Sequence, residues 1–137
     1  MAQRYLLDTN ICIYWLNTRH PRIVERLEAV PAGAVGMSVV TWGELQFGAA
    51  KSRQPAQARR NLDALAEAVP PLALPAEAAE RYGELRATLE RKGSPIGAND
   101  LWIAAHALAE ACVLVTNNAR EFKRVPKLKV ENWAVQP

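Results

Sequence analysis

Four consecutive apolar residues, Cys112-Val113-Leu114-Val115, constrain this chain more than any other feature. A strand with one wet face alternates polar and apolar residues, whereas an unbroken run needs cover on both faces. Tyr5-Leu6-Leu7 is a second such run, closed by Asp8. Strands of this kind belong to parallel sheets, whose crossover connections lay helices over either side. The sequence between the runs has helical character: Ile11 to Leu16, Pro21 to about Ala29, Val39 to Ala50 behind a Ser38 N-cap, and Gln54 to Ala68. A helix bracketed by Pro75 and Gly93 follows, then Ala98 to Ala111 and a short Ala119 to Phe122. Ala34 to Met37, Val69 to Leu74 and Val130 to Trp133 read as further strands, and Pro70 and Pro71 confine the second of these to a sheet edge. This alternation predicts an α/β domain with a mostly parallel central sheet flanked by helices.

The length, 137 residues, fits one domain, and hydrophobic residues at 50% suffice for its core. The net charge of +3 permits a polyanionic partner without demanding one. Cys12 and Cys112 lack any metal or disulfide spacing, so two small buried hydrophobes in a reducing compartment are expected. The opening MAQRYLLDTN has no long apolar stretch, and no run approaches a membrane span; a cytoplasmic protein is the expectation.

Only three aspartates occur, Asp8, Asp63 and Asp100. Asp8 ends the first strand, at the edge where open parallel sheets bind ligands; it is equally a helix N-cap. Asp100 shares a helix face with Ile103, Ala104 and Ala107. The helix dipole accounts for a carboxylate in the first turn but not for the apolar stripe. Glu44 sits mid-helix among Val40, Thr41, Phe47 and Gly48, where a carboxylate is costly unless paired or metal-bound. Asp63, among Arg59, Arg60 and Glu67, reads as a solvated face. Thr116-Asn117-Asn118 places small polar residues just past the fourth strand, as a turn, a contribution to the site, or both. His20 and His106 have no ligand spacing, the four tryptophans read as core and interface, and no GxGxxG, P-loop or G-x-S-x-G sequence occurs.

Leu6-Leu7-Asp8-Thr9-Asn10, the stretch from Ser38 to Gly48 around Glu44, and that from Ile96 to Ala107 around Asp100 resemble, in order, the three acidic motifs of PIN-domain nucleases. Val115 to Phe122 and Glu131-Asn132-Trp133 resemble the VapC toxins of toxin–antitoxin pairs. The resemblance spans nearly the whole chain. It implies a single PIN domain over 1–137, an α/β/α sandwich, and metal-dependent RNA cleavage by an acidic cluster of Asp8, Glu44 and Asp100. It further implies a VapB-like antitoxin that blocks the site, and a homodimer. Where many PIN domains carry a fourth acid, the matching residue here is Asn118, which offers a neutral oxygen; Glu121, one turn on, competes for the role.

The chemistry is consistent with that resemblance. Clustered carboxylates repel one another, and a bound cation relieves the repulsion. Hard oxygen ligands favour magnesium, or manganese in its place, over zinc. A non-catalytic RNA- or protein-binding module on the same fold is the main alternative, and the three retained acids speak against it. A phosphotransferase built on Asp8 would want an aspartate at position 10, which is Asn. Arg120, Lys123, Arg124, Lys127 and Lys129 form the densest basic stretch, suited to phosphates. The apolar helix Val39 to Phe47, with Trp42, offers a surface to a partner helix.

Overall fold

The computed structural model describes residues 3–135. Five short strands, β1 (Tyr5–Leu7), β2 (Val35–Ser38), β3 (Pro71–Leu72), β4 (Val113–Val115) and β5 (Val130–Glu131), form one sheet in the order β3-β2-β1-β4-β5. Every pairing is parallel. Seven helices connect them: α1 (Thr9–Thr18), α2 (Pro21–Ala29), α3 (Val39–Ala50), α4 (Pro55–Ala68), α5 (Glu77–Arg91), α6 (Ala98–Ala109) and α7 (Ala119–Phe122). No helix among the described residues is long and apolar enough to cross a membrane.

The unbroken strands do separate two cores. Leu6 and Leu114 pack on one face with Leu85 and Leu89 of α5, Ile103 and Ala107 of α6, and Phe122 of α7. Their neighbours Leu7 and Val115 face the other way, onto Ile11 and Cys12 of α1, Ile23 of α2, Leu45 of α3, Leu65 of α4 and Trp133. Alternate side chains of a strand point to opposite faces, so both faces of β1 and β4 are dry. Both cysteines are buried and free, as their spacing predicts.

The elements differ from the sequence reading mainly at their ends. Helix α1 begins two residues early because Asp8 caps it: its Oδ1 accepts from the Ile11 N–H at 3.0 Å. Strand β3 shrinks to two residues; a proline has no N–H for the ladder, and Pro70 still reaches it by accepting from Met37 N at 2.9 Å. It lies at the edge, as its prolines require. Its Leu72 crosses close over Gly36, where a Cβ would meet Leu72 Cδ1 at 2.6 Å, so a side chain on this central strand would force β3 away. Strand β5 ends at Glu131, and Trp133 folds under the sheet with 1% exposure.

The junction of β2 and α3 is tied to α6. Ser38 Oγ accepts from the Val40 N–H at 3.1 Å and lies 2.9 Å from His106 Nδ1. His106 is buried, and burial pushes its pKa below the ordinary value, so it is the neutral imidazole. Its Nε2 has no partner among the described residues, which leaves Ser38 as its sole polar contact. Removing that hydroxyl loses the cap and strands the second ring nitrogen. Ser38→Ala is expected to lower the unfolding free energy by about 2 kcal/mol, read from urea denaturation.

Candidate active site

The parallel register sets one row of residues along the carboxyl edge. Leu7 pairs with Met37 and with Val115, and Val115 pairs with Glu131. The next residues on the four strands, Ser38, Asp8, Thr116 and Asn132, therefore stand side by side. Asp8 occupies the centre, 3% exposed. Burial pushes its pKa up to about 6, against the opposing pull of hydrogen bonds from the Thr116 side chain and the Ile11 N–H, and the charge of Glu44 adds to the rise. The α1 cap and the buried carboxylate at the sheet edge are thus the same residue.

Asp100 sits in the first turn of α6, half-buried. Its pKa is raised first by burial, then by the charge of Glu121 and a hydrogen bond with it, and then by Asp8 and Glu44. Asp8, Glu44, Asp100 and Glu121 are accordingly close enough to feel one another's charge. Glu44 is held by a hydroxyl rather than by the ion pair that a buried glutamate often has: Thr9 Oγ1 donates to Glu44 Oε1 at 2.6 Å. Thr9 and Thr41 hydroxyls lie 3.2 Å apart, and with its proton on Glu44 Thr9 accepts from the buried Thr41. None of the four acids takes part in an ion pair among the described residues.

The Asn118 side chain is engaged with Glu121. Its Nδ2 donates to Glu121 Oε2 at 2.7 Å, and its backbone N–H donates to Thr116 Oγ1 at 2.9 Å. The turn expected from Thr116-Asn117-Asn118 is present, and it aims Glu121 at Asp100. In sequence Glu121 stood as the rival to Asn118 for the fourth acidic position, on its spacing of one turn from it. Asp63 is exposed, as read. Arg120, Lys123, Arg124, Lys127 and Lys129 are all exposed around α7 and the loop after it, anchored beneath by buried Phe122 and Val125.

Among the described residues no three acidic, thiol or imidazole groups stand at the spacing of a ready-made metal centre. The donor set nevertheless fits a hard divalent cation. It offers only carboxylate and neutral oxygens, and burial with mutual repulsion raises the proton affinity of Asp8 and Asp100.

An α/β/α sandwich with desolvated acids at the carboxyl edge of its parallel sheet defines a nuclease-type enzyme. The chain belongs to the PIN-domain family, which it matches over residues 5–128. It is 43% identical over 130 residues to Ribonuclease VapC2 of Rickettsia felis, covering 94% of this chain and 97% of that one. It is 37% identical over 131 residues to a tRNA(fMet)-specific endonuclease VapC of Shigella flexneri, covering 96% and 98%. The crystal structure of VapBC2 from Rickettsia felis bound to a promoter DNA fragment superposes with a TM-score of 0.91 at 42% identity, over 96% of this chain and 99% of that one. The fold and the nuclease class drawn from the motifs are thereby established.

The raised acids have a thermodynamic consequence. Asp8 takes up its proton at about pH 6 when folded and at 3.8 as an ordinary carboxyl. Between those values the folded chain holds more protons than the unfolded one, so stability falls as pH rises. Asp8→Asn removes this penalty and keeps an oxygen for the α1 cap. In EDTA, the mutant should gain on the wild type from pH 4 to pH 7, by on the order of 3 kcal/mol at the upper end. Urea unfolding at a series of pH values gives the difference; a gap independent of pH would contradict it.

Proposed function

We infer that this chain is a divalent-metal-dependent endoribonuclease and the toxin of a toxin–antitoxin pair, working in the cytoplasm. The observation that carries the reading is the acid cluster of Asp8, Glu44, Asp100 and Glu121 at the sheet edge, desolvated at Asp8 and Asp100 and unpaired with any cationic side chain among the described residues. Asp8 and Asp100 would hold the cation, magnesium or manganese, with Glu44 binding directly or through water. Glu121 is the fourth acid in this reading, and Asn118 is the residue that aims it.

A bound divalent cation supplies charge neutralisation for the phosphate and activation of the attacking water. The chain supplies everything else. Thr9 fixes Glu44, and the Thr116 side chain and the α1 N-terminus fix Asp8. Asp100, buried and hydrogen-bonded to Glu121, has a raised proton affinity, and a cation held there would favour its ionised form. The exposed cations from Arg120 to Lys129 meet the phosphates of a long RNA and set its register without reading its sequence. The relative that acts on tRNA(fMet) makes a structured RNA the first substrate to try.

Mutation separates these roles. Asp8→Asn and Asp100→Asn should abolish cleavage of total RNA and the thermal shift caused by magnesium, with the far-UV spectrum unchanged. Glu121→Gln should lose most magnesium affinity, whereas Asn118→Ala should keep binding and lose about tenfold in rate, as expected when a supporting residue goes. Calorimetric titration with cleavage assays decides. Undiminished cleavage in excess EDTA would end the metal-dependent reading.

The partner surface lies beside the site. A groove of about 760 Å³ between α1 and α3 is lined by Ile13, Val40, Gly43 and Phe47 together with Thr9, Glu44 and Lys51. Phe47 is 67% exposed and Val39 44% exposed. Trp42, expected on this surface, instead packs partly into the core, so the free aromatic of α3 is Phe47. An antitoxin segment with apolar side chains would fill the groove, and a positive charge on it would meet Glu44 and block the site. A homodimer is part of the same reading. Expression of the chain alone should arrest growth, and co-expression with the neighbouring gene should restore it. Phe47→Asp should remain toxic in the presence of that partner; growth arrest relieved equally in both forms would place the partner elsewhere.

A further inference from the structure

One chain of hydrogen bonds at the carboxyl edge has a direction. The Ala134 N–H donates to Asn132 Oδ1 at 2.9 Å, and a backbone N–H can only donate. This fixes the Asn132 amide, whose Nδ2 donates to Asn117 Oδ1 at 2.9 Å. Asn117 is fixed in turn, and its Nδ2 donates to the Tyr14 hydroxyl oxygen at 2.8 Å. Tyr14 Oη is therefore the acceptor of this bond, and its own proton is left for an outside group. No other hydrogen bond of this hydroxyl occurs among the described residues.

The ladder is placed beside the acid cluster. Asn132 stands in the row that contains Asp8 and Thr116, two strands from Asp8 or about 10 Å. Asn117 follows Thr116, whose side chain hydrogen-bonds Asp8. Tyr14 lies on α1, about 9 Å along the helix from its Asp8 cap. Asn117 is exposed, and Tyr14 and Asn132 are partly so. These three residues flank the cluster on the side of β4 and β5, where a strand reaching it from that side would meet them.

We propose that Tyr14 reads a base: its hydroxyl donates to a carbonyl oxygen or ring nitrogen of the nucleotide flanking the scissile phosphate. This rests on the ribonuclease reading above. The ladder is uncharged, and phosphates are already served by the basic stretch around α7. A neutral donor of fixed direction distinguishes bases by which of them present an acceptor. Unpaired RNA loops expose those edges. Asn117 and Asn132 are positioning residues, acting through Tyr14.

The direction of the ladder gives the test. In Asn132→Asp, position 132 still accepts from the Ala134 N–H but no longer donates to Asn117. The Asn117 amide then turns its nitrogen to 132 and its oxygen to Tyr14, and the Tyr14 proton is drawn inward. Tyr14→Phe removes the donor outright. Both variants, and the pair together, are assayed with magnesium on oligoribonucleotides that differ only in the bases flanking the cleaved bond. The wild type is expected to prefer one or two bases there. Tyr14→Phe and Asn132→Asp should each lower kcat/KM on the preferred base by about tenfold to a hundredfold. Rates on the other bases should be unchanged, and the double variant no worse than Tyr14→Phe. The magnesium-induced thermal shift should match wild type in all three. A uniform loss over all bases would mean a phosphate, ribose or structural role, and an unchanged preference would mean no role; either overturns base reading. A wild type that binds magnesium and cleaves no RNA overturns the ribonuclease reading itself, a result distinct from both.

Discussion

A slip of β1 by one residue against β2 or β4 would turn every side chain of the strand to its opposite face. Leu7 would leave one core, Leu6 the other, and Asp8 would move off the row it shares with Ser38 and Thr116. That register is secured by apolar packing on both faces of three-residue strands. The fit of two leucines into two differently shaped cores thus stands behind the position of one carboxylate. The helices then bring the remaining acids to it: α3 delivers Glu44 from the Ser38 cap, α6 delivers Asp100 in its first turn, and α7 delivers Glu121.

The cluster works against the stability that the sheet provides. Asp8 and Asp100 are desolvated and repel, and no cationic side chain among the described residues answers them. A protein selected for stability alone would place an arginine there. Hydroxyls from Thr9 and Thr116 and an amide from Asn118 orient the acids without neutralising them. Neutral orienting groups leave the negative charge available to a cation, whereas a fixed positive charge would compete with it.

Asp8, Glu44 and Asp100 were legible in the sequence because each is a carboxylate inside an apolar pattern, and such a residue needs a reason. The fold class was legible from Cys112 to Val115 for the same kind of reason, since an uninterrupted apolar strand has few places to go. Glu121 entered only as a rival to Asn118, because Arg120 and Lys123 close by give it the look of ordinary surface. Its role depends on α7 returning over the sheet edge, which no local pattern reports. The Asn132–Asn117–Tyr14 ladder was equally hidden, since it joins residues 118 positions apart in the chain. The shortness of β3 and β5 has a local cause in one case, the prolines at 70 and 71, and none visible in the other.

Those two short strands close the sheet. β3 and β5 are its edges, and each pairs over two residues only. An exposed edge is a template on which a further strand can add, and through which chains aggregate. Here the template is too short to nucleate, and on one side it is headed by a proline with no donor. The antitoxin and the second copy proposed above must therefore be met on surfaces other than these edges. The blunt edges leave strand addition closed as a route of association. In the proposed contact, recognition falls to side chains in a helical groove, where sequence can tell a cognate partner from any other extended peptide.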